Sequence, residues 1–209
     1  MWEHLQRQRR APLLLAKSYS DTAGAAERGR QRNRRMLCRF VFTAIVGVFL
    51  AAEVRAAVEE YQLKAVFLYN FAKFVEWPEG SFRSLSEPIT VCILGQNPFG
   101  PALVKTLEGK AIDGRPFRVR EIPASEPGNP CHILFVSASE RKRFRSLLPD
   151  RKGSGTLTVG ESPGFAAEGG VVNFRIEGNT LRIEVNTEAA RLEHLRISAK
   201  LLNLVEIVK

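Results

Sequence analysis

The chain has 209 residues, of which 31 are basic and 22 acidic, and its formal net charge is +9. Residues 1–56 hold 11 basic and 4 acidic residues, whereas the other 153 hold 20 and 18. The basic excess therefore belongs to the N-terminal segment. The nearly neutral remainder shows no motif that would indicate nucleic-acid binding. Its one basic cluster, Arg141, Lys142, Arg143 and Arg145 on a predicted helix, is interpreted as a solvated face, with weak attraction to an anionic partner or membrane surface as the alternative.

The N-terminal segment has the parts of an export signal. Residues 40–52 form an uncharged, apolar run of 13 residues, which is too short for a bilayer core that needs about 20. Arg39 precedes the run, and Val54 and Ala56 stand at the −3 and −1 positions of a cut after Ala56. This arrangement predicts a signal peptide over residues 36–56, cleaved near Ala56, and an uncleaved anchor helix is the alternative.

The residues before this signal give no fold information. Residues 1–35 are rich in Arg, Gln, Ala and Gly without an apolar period, so we expect them to be disordered or to precede a true start at Met36. Arg34 and Arg35 leave twin-arginine export open beside the general secretory route.

Residues 57–209 have the length of one domain. Apolar residues at three- and four-residue steps predict a helix over residues 58–76, which Pro78 stops. Further helices are predicted from Pro98 to about Leu107, over residues 140–148 with Ser137 or Ser139 as the cap, and from Glu188 to about Val208 with a break near 195–198.

Short β-branched runs between these helices predict strands. Buried strands are expected at Ile89–Leu94, 131–136 and 155–159, an edge strand at 117–121, and a hairpin at 171–176 and 181–185. Buried strands that alternate with helices favour an α/β fold: a single domain with a mainly parallel sheet, helices on both faces, a C-terminal antiparallel hairpin and a closing helix.

Two cysteines remain after the leader, which contains Cys38. Cys92 and Cys131 lie early in two predicted core strands that would be neighbours in a doubly wound sheet. An exported domain with an even number of cysteines is expected to form a disulfide. Two buried free thiols that pack as small apolar residues are the alternative.

Six segments of the chain, in one consistent order, resemble the YfiR-like family of periplasmic proteins. These segments are EYQLKAVFLYNFAKFVEWP at 60–78, VCILG at 91–95, NPFG at 97–100, CHILFV at 131–136, GGV at 169–171 and ISAKLL at 197–202. The resemblance covers residues 58–208. The best-known member has a second cysteine pair before its hairpin, whereas residues 160–173 of this chain contain no cysteine.

The resemblance implies a periplasmic, non-catalytic regulator. Such a protein would bind the periplasmic sensory domain of an inner-membrane diguanylate cyclase and hold the enzyme inactive, which lowers cyclic di-GMP and biofilm formation. An outer-membrane lipoprotein is implied as a further partner, and a homodimer is left open. The second cysteine pair is missing, so redox gating by that pair does not carry over.

The residues indicate binding rather than chemistry. His132 and His194 are isolated histidines of the domain, which predicts no metal site, and no cofactor or catalytic residue is expected. Glu184 and Glu188 are better explained as a strand edge and a helix start.

The final helix carries more apolar surface than one core face needs, so a partner interface is predicted at Leu201, Leu204, Val205 and Val208.

Two other functions stay open at this point. A periplasmic small-molecule binding module would use the crevice at the carboxyl ends of the strands. The loop 95–100 after Ile89–Leu94 could hold a phosphate there, but it lacks the glycine spacing of a dinucleotide fingerprint. An unrecognised hydrolase or oxidoreductase is disfavoured because its chemical groups are missing.

Overall fold

A computed structural model describes residues 57–123, 130–151, 153–178 and 180–208. The predicted segments 1–35 and 36–56, with the cleavage site at Ala56, lie outside these residues. No helix within the described ranges is long and apolar enough to cross a membrane.

The domain begins with a long amphipathic helix. Residues 57–74 form α1, and the next two residues form the short strand β1 (Val75–Glu76). Ala65, Leu68 and Phe71 recur at the spacing of one helix face and are fully buried. The predicted helix 58–76 is therefore confirmed except for its last two residues, which pair with a strand near the C-terminus instead.

The remaining elements alternate between strands and helices. In chain order they are β2 (Ile89–Leu94), α2 (Ala102–Leu107), β3 (Ala111–Ile112), β4 (Arg115–Ile122), β5 (Ile133–Val136), α3 (Arg141–Arg151), β6 (Leu157–Gly160), β7 (Val172–Glu177), β8 (Thr180–Asn186), α4 (Thr187–Leu192), β9 (Arg196–Ile197), α5 (Ala199–Leu202) and β10 (Glu206–Val208). A 3₁₀ turn at Ala138–Glu140 leads into α3.

One eight-stranded sheet organises these elements, in the order β10-β8-β7-β6-β5-β2-β4-β3. The strands β4, β2, β5, β6 and β7 run parallel to one another, and β7 and β8 form an antiparallel hairpin. A separate two-stranded sheet joins β1 to β9. The predicted α/β class, with its mainly parallel sheet and C-terminal hairpin, is confirmed.

Both faces of the sheet are covered. On one face α1, α2 and α4 pack against Val91, Ile93 and Phe135 in the larger apolar cluster. On the other face Phe144 of α3 packs with Phe165, Leu134 and Leu94 in a smaller cluster. The strands β2, β5 and β6 are buried along their full length, which is why their sequences read as continuous apolar runs.

The prediction of a helical region from Glu188 to about Val208 is wrong beyond its first residues, because two short helices and two short strands share this stretch. The chain forms α4, crosses to β9, makes the four-residue helix α5 and ends in β10. The doublets Leu204-Val205 and Ile207-Val208 fit a helical spacing, but β-branched Ile207 and Val208 pair with β8 in a parallel ladder.

Two smaller expectations also change. The helix expected to open at Pro98 starts at Ala102, because the Asn97 side chain accepts a hydrogen bond from the Phe99 N–H at 2.9 Å and holds a turn first. Ser137 precedes the 3₁₀ turn but makes no capping bond from its side chain, whereas Ser139 Oγ accepts from the Gln96 N–H at 3.3 Å.

Candidate interaction groove

The four residues predicted as a partner interface lie in different local structures. Leu201 is buried in α5, Leu204 follows in a turn and is 79% exposed, and Val205 is half-buried beside it. Val208 is half-buried in β10, opposite Asn186 of β8. The structure therefore brings Leu201, Leu204 and Val205 together around one groove, while Val208 lies outside its lining.

This groove, which we call the C-terminal groove, has a volume of about 770 Å³. Its walls come from three parts of the chain: α1, the hairpin, and the segment from α5 to β10. The apolar lining consists of Phe67, Phe74, Leu181, Ile183, Leu201, Leu204 and Val205, and the polar lining of Asn70, Arg175, Glu177, Arg182 and Glu206.

Local sequence explains how α1 forms its wall. Phe67, Asn70 and Phe74 follow one another at helical steps beside the fully buried strip. The Phe67 ring is anchored by Phe71 at 6.2 Å and by Phe174 at 6.3 Å between ring centroids. The wall is therefore held by the core and stays open on its outer side.

The opposite wall is fixed to α1 at its base. The Ser198 N–H donates to the Phe74 carbonyl oxygen at 2.8 Å, and Val75 pairs with Ile197 in the small sheet. Ser198 also caps α5 by accepting from the Lys200 N–H at 3.3 Å. These contacts hold β9 and the start of α5 against the end of α1.

Charged side chains at the rim neutralise one another. Arg175 lies 2.8 Å from Glu184 and 2.9 Å from Glu206, and Arg182 lies 3.3 Å from Glu177. The hydrogen bond to Glu206 raises the pKa of Arg175, so the guanidinium keeps its charge. The groove thus combines an apolar floor with a rim of balanced charge.

The two cysteines of the domain are joined in the structure. Cys92 in β2 and Cys131 before β5 form a disulfide with their Cα atoms 5.9 Å apart. Both are buried in the smaller apolar cluster with Leu134 and Phe144. The predicted pairing is confirmed, although Cys131 lies two residues before β5 and not within the strand. The bond lies outside the lining of the C-terminal groove.

His132, next to this disulfide, is a buried structural residue. Its Nδ1 accepts a hydrogen bond from the Thr90 N–H at 3.0 Å, which leaves the proton on Nε2, 3.1 Å from the Ser81 carbonyl oxygen. The ring stacks on Phe82 at 4.2 Å. Burial lowers the pKa of His132 below its ordinary value of 6.5. Within the described ranges no group of three or more candidate ligands could hold a metal ion.

The loop after β2, at the carboxyl end of that strand, is in contact with protein side chains. Gly95 lies against Ser139 and Glu140 of the turn after β5, where an added Cβ would collide with both side chains. The amide of Asn97 donates to Glu121 at 2.7 Å. Ser139 and Glu140 thus lie against Gly95 at the end of the crevice between β2 and β5, where a ligand of a doubly wound sheet would bind.

A buried lysine is a feature that the sequence analysis missed. Lys64 of α1 is 3% exposed, and its Nζ lies 2.8 Å from Glu161 and also pairs with Glu60. The Tyr61 hydroxyl donates to the same Glu161 at 3.1 Å. Burial and the neighbouring Glu161 raise the pKa of Tyr61. Since Glu161 is 97 positions away, no local pattern could have revealed this pair.

Other polar groups singled out by the sequence are paired locally. Arg141 and Arg145 of the basic helix both contact Glu168, at 2.9 Å and 3.0 Å. Glu184 accepts from the Asn173 amide at 2.8 Å, and Glu188 pairs with Arg191 at 2.6 Å. Glu184 and Glu188 thus serve separate structural contacts.

Comparison with known proteins gives a family match. A family model described as YfiR/HmsC-like matches residues 61–206. A comparison with curated proteins gives no match.

Among solved structures, the chain is similar to an ABC domain from Streptococcus pneumonia in complex with L-Trp. The identity is 11%, the TM-score 0.42, and the match covers 57% of this chain and 55% of the other. It is also similar to a conserved domain protein from Vibrio cholerae, with 8% identity, a TM-score of 0.44, and 58% and 55% covered. The chain thus matches about half the length of these proteins.

Proposed function

The chain belongs to the YfiR/HmsC-like family, and from what this family implies, a periplasmic regulator of a diguanylate cyclase, we propose that it is an exported, non-catalytic repressor. It binds the periplasmic sensory domain of an inner-membrane diguanylate cyclase, holds the enzyme inactive and lowers cyclic di-GMP. Export uses the signal peptide at residues 36–56, with cleavage near Ala56. An outer-membrane lipoprotein and a second copy of the chain are further proposed partners.

The observation that carries this proposal is the C-terminal groove. Leu204 is 79% exposed at its edge, and the aromatic wall of α1 faces the same opening. An exposed apolar surface with a polar rim is the pattern of a protein-binding site. Leu201, Leu204 and Val205 supply the proposed contacts here, and Val208 supports them by pairing β10 with β8.

Repression then needs no chemical step. A ligand shifts a two-state equilibrium only by its difference in affinity for the two states. The regulator therefore binds the inactive conformation of the sensory domain more tightly than the active one. A ratio of about 100 in affinity corresponds to about 2.7 kcal/mol, which is within reach of a few well-placed apolar contacts.

A second function, binding of a small apolar molecule, is favoured by one observation. The groove volume of about 770 Å³ falls in the range of roughly 300–1,000 Å³ that is usual for small-molecule sites. A small ligand in this groove would raise the melting temperature of the protein alone. A regulator that binds only another protein would show no such shift across a panel of apolar metabolites.

The proposal is tested by cyclase activity in GTP-loaded inner-membrane vesicles that display the sensory domain on the outside. We expect the purified wild-type protein to lower cyclic di-GMP synthesis, and Leu204→Asp to require at least about tenfold more protein for the same effect. Leu85→Asp is the matched control, because Leu85 is 89% exposed and lies outside the groove. Equal inhibition by all three proteins would show that the groove is not the binding site. No inhibition by the wild type would show that the protein does not repress the cyclase.

A further inference from the structure

The edge of the sheet inside the C-terminal groove is incomplete. The strand β8 spans Thr180–Asn186, but β10 pairs with it only at Glu184, Val185 and Asn186. Residues 180–183 therefore have β7 on one side and, within the described part of the chain, no strand on the other. At about 3.3 Å per residue this free edge is roughly 13 Å long.

The hydrogen-bond register shows which backbone groups point to the free side. The Asn186 N–H donates to the Val171 carbonyl oxygen at 2.8 Å, so Asn186 faces β7. Because the facing side alternates along an antiparallel pair, Leu181 directs its N–H and C=O away from β7. These groups lie at the groove, whose lining includes Leu181.

The existing β10 shows that this edge accepts a parallel strand. Before Glu206 the chain turns away through Leu204 and α5, so that within the described residues no strand continues the ladder of β10 along residues 180–183 of β8. The ion pair between Arg175 and Glu206, at 2.9 Å, fixes the point at which β10 begins. The groove is thus the continuation of a strand position that β10 fills only in part.

The lining defines the chemistry of an occupant. Its floor is apolar, and its rim charges are paired as Arg175 with Glu206 and Arg182 with Glu177. This balance is complementary to an uncharged segment and disfavours one with a net charge. Asn70 supplies an amide at the wall, which suits the polar groups of a peptide backbone.

We infer that the C-terminal groove binds an extended, uncharged apolar segment of the partner protein, which adds to the free edge of β8 as a strand. The inference rests on the proposed function, since the partner is the sensory domain named there. Main-chain hydrogen bonds to Leu181 hold the segment, and alternate side chains enter the space between Phe67 and Leu204. The same addition removes the free edge from water.

Amide hydrogen exchange tests this inference directly. The ¹⁵N-labelled protein, purified from periplasmic extract, is compared with and without the purified periplasmic region of the cyclase. We expect exchange of the Leu181 amide to slow by at least about tenfold in the complex, since strand addition satisfies that N–H. The residues of β4 beyond its pairing with β3 also lack a strand on that side within the described ranges, so they are the internal control, and their amides keep their exchange rates.

A pair of variants gives a second readout. Leu181→Pro removes the N–H at an edge position where proline is tolerated, and Leu181→Val keeps the N–H and an apolar side chain. We expect the proline variant to bind the cyclase region at least tenfold more weakly and the valine variant to bind within about twofold. A complex that forms without slower exchange at Leu181 overturns strand addition but leaves repression standing. Failure to form any complex contradicts both proposals.

Discussion

The centre of the sheet and its C-terminal edge differ in how completely their residues are buried and paired. In the centre, β2, β5 and β6 are buried along their full length and a disulfide joins Cys92 to Cys131. At the edge, β10 covers only part of β8, and Leu204 is 79% exposed. The centre supplies stability, and the edge offers apolar surface that the fold itself does not use. Mutations should therefore separate stability from binding.

The largest effect is expected in the centre. Phe135 is fully buried and packs edge-to-face on Phe99 at 4.7 Å. Phe135→Ala should lower the free energy of unfolding by about 3–5 kcal/mol, because it removes apolar burial and leaves a cavity. Denaturant unfolding measures this change. A loss below about 1 kcal/mol would show that the centre is less tightly packed than described.

Removal of the disulfide ranks next. The bond closes a loop with a sequence separation of 39, and for such a loop the chain-entropy model gives a stabilisation of about 4 kcal/mol before any strain. The double variant Cys92→Ala, Cys131→Ala should therefore unfold at lower denaturant concentration. Its affinity for the cyclase, measured below the melting temperature, should stay near that of the wild type because the groove lies elsewhere.

A smaller effect concerns pH. Since burial lowers the pKa of His132 in the folded state, the unfolded chain binds a proton more readily. Stability is complete above pH 6.5 and falls as the pH drops from there toward the folded-state pKa, by at most about 1.4 kcal/mol per pH unit.

Unfolding curves between pH 7.5 and 5 measure this slope. His132→Gln should reduce the slope, whereas His194→Gln, at an exposed position, should keep it. Identical slopes for the wild type and His132→Gln would contradict the assignment.

The smallest effect on stability belongs to the edge. Leu204→Ala should change the free energy of unfolding by less than about 0.5 kcal/mol, because the side chain is mostly exposed. The same variant should weaken cyclase binding by several-fold. Unfolding curves and cyclase affinities of Leu204→Ala and Phe135→Ala, measured side by side, show whether stability depends on the centre and binding on the edge. A strongly destabilised Leu204→Ala would contradict this division.

The same contrast explains what could be predicted from the sequence. The runs Ile89–Leu94 and Ile133–Val136 are recognisable because strands covered on both faces are apolar throughout. The pairing of Cys92 with Cys131 follows from their positions in β2 and just before the neighbouring strand β5. These features depend on local composition and on simple topology.

The edge could not be predicted in this way. Leu201, Leu204 and Val205 fit a helical spacing, and only the distant pairing of Ile207 with Val185 makes the end of the chain a strand. Likewise, Lys64 is buried in an ion pair with Glu161, which directly follows β6. Such features depend on contacts between residues far apart in the chain, which local periodicity does not encode.

The central claim is that this protein acts by binding through its C-terminal groove. A titration of the purified periplasmic region of the cyclase with wild type, Leu204→Asp and Leu85→Asp tests it most directly. The account predicts equal affinities for the wild type and Leu85→Asp and an affinity at least about tenfold weaker for Leu204→Asp. Equal binding by all three proteins, each shown to be folded, would contradict it.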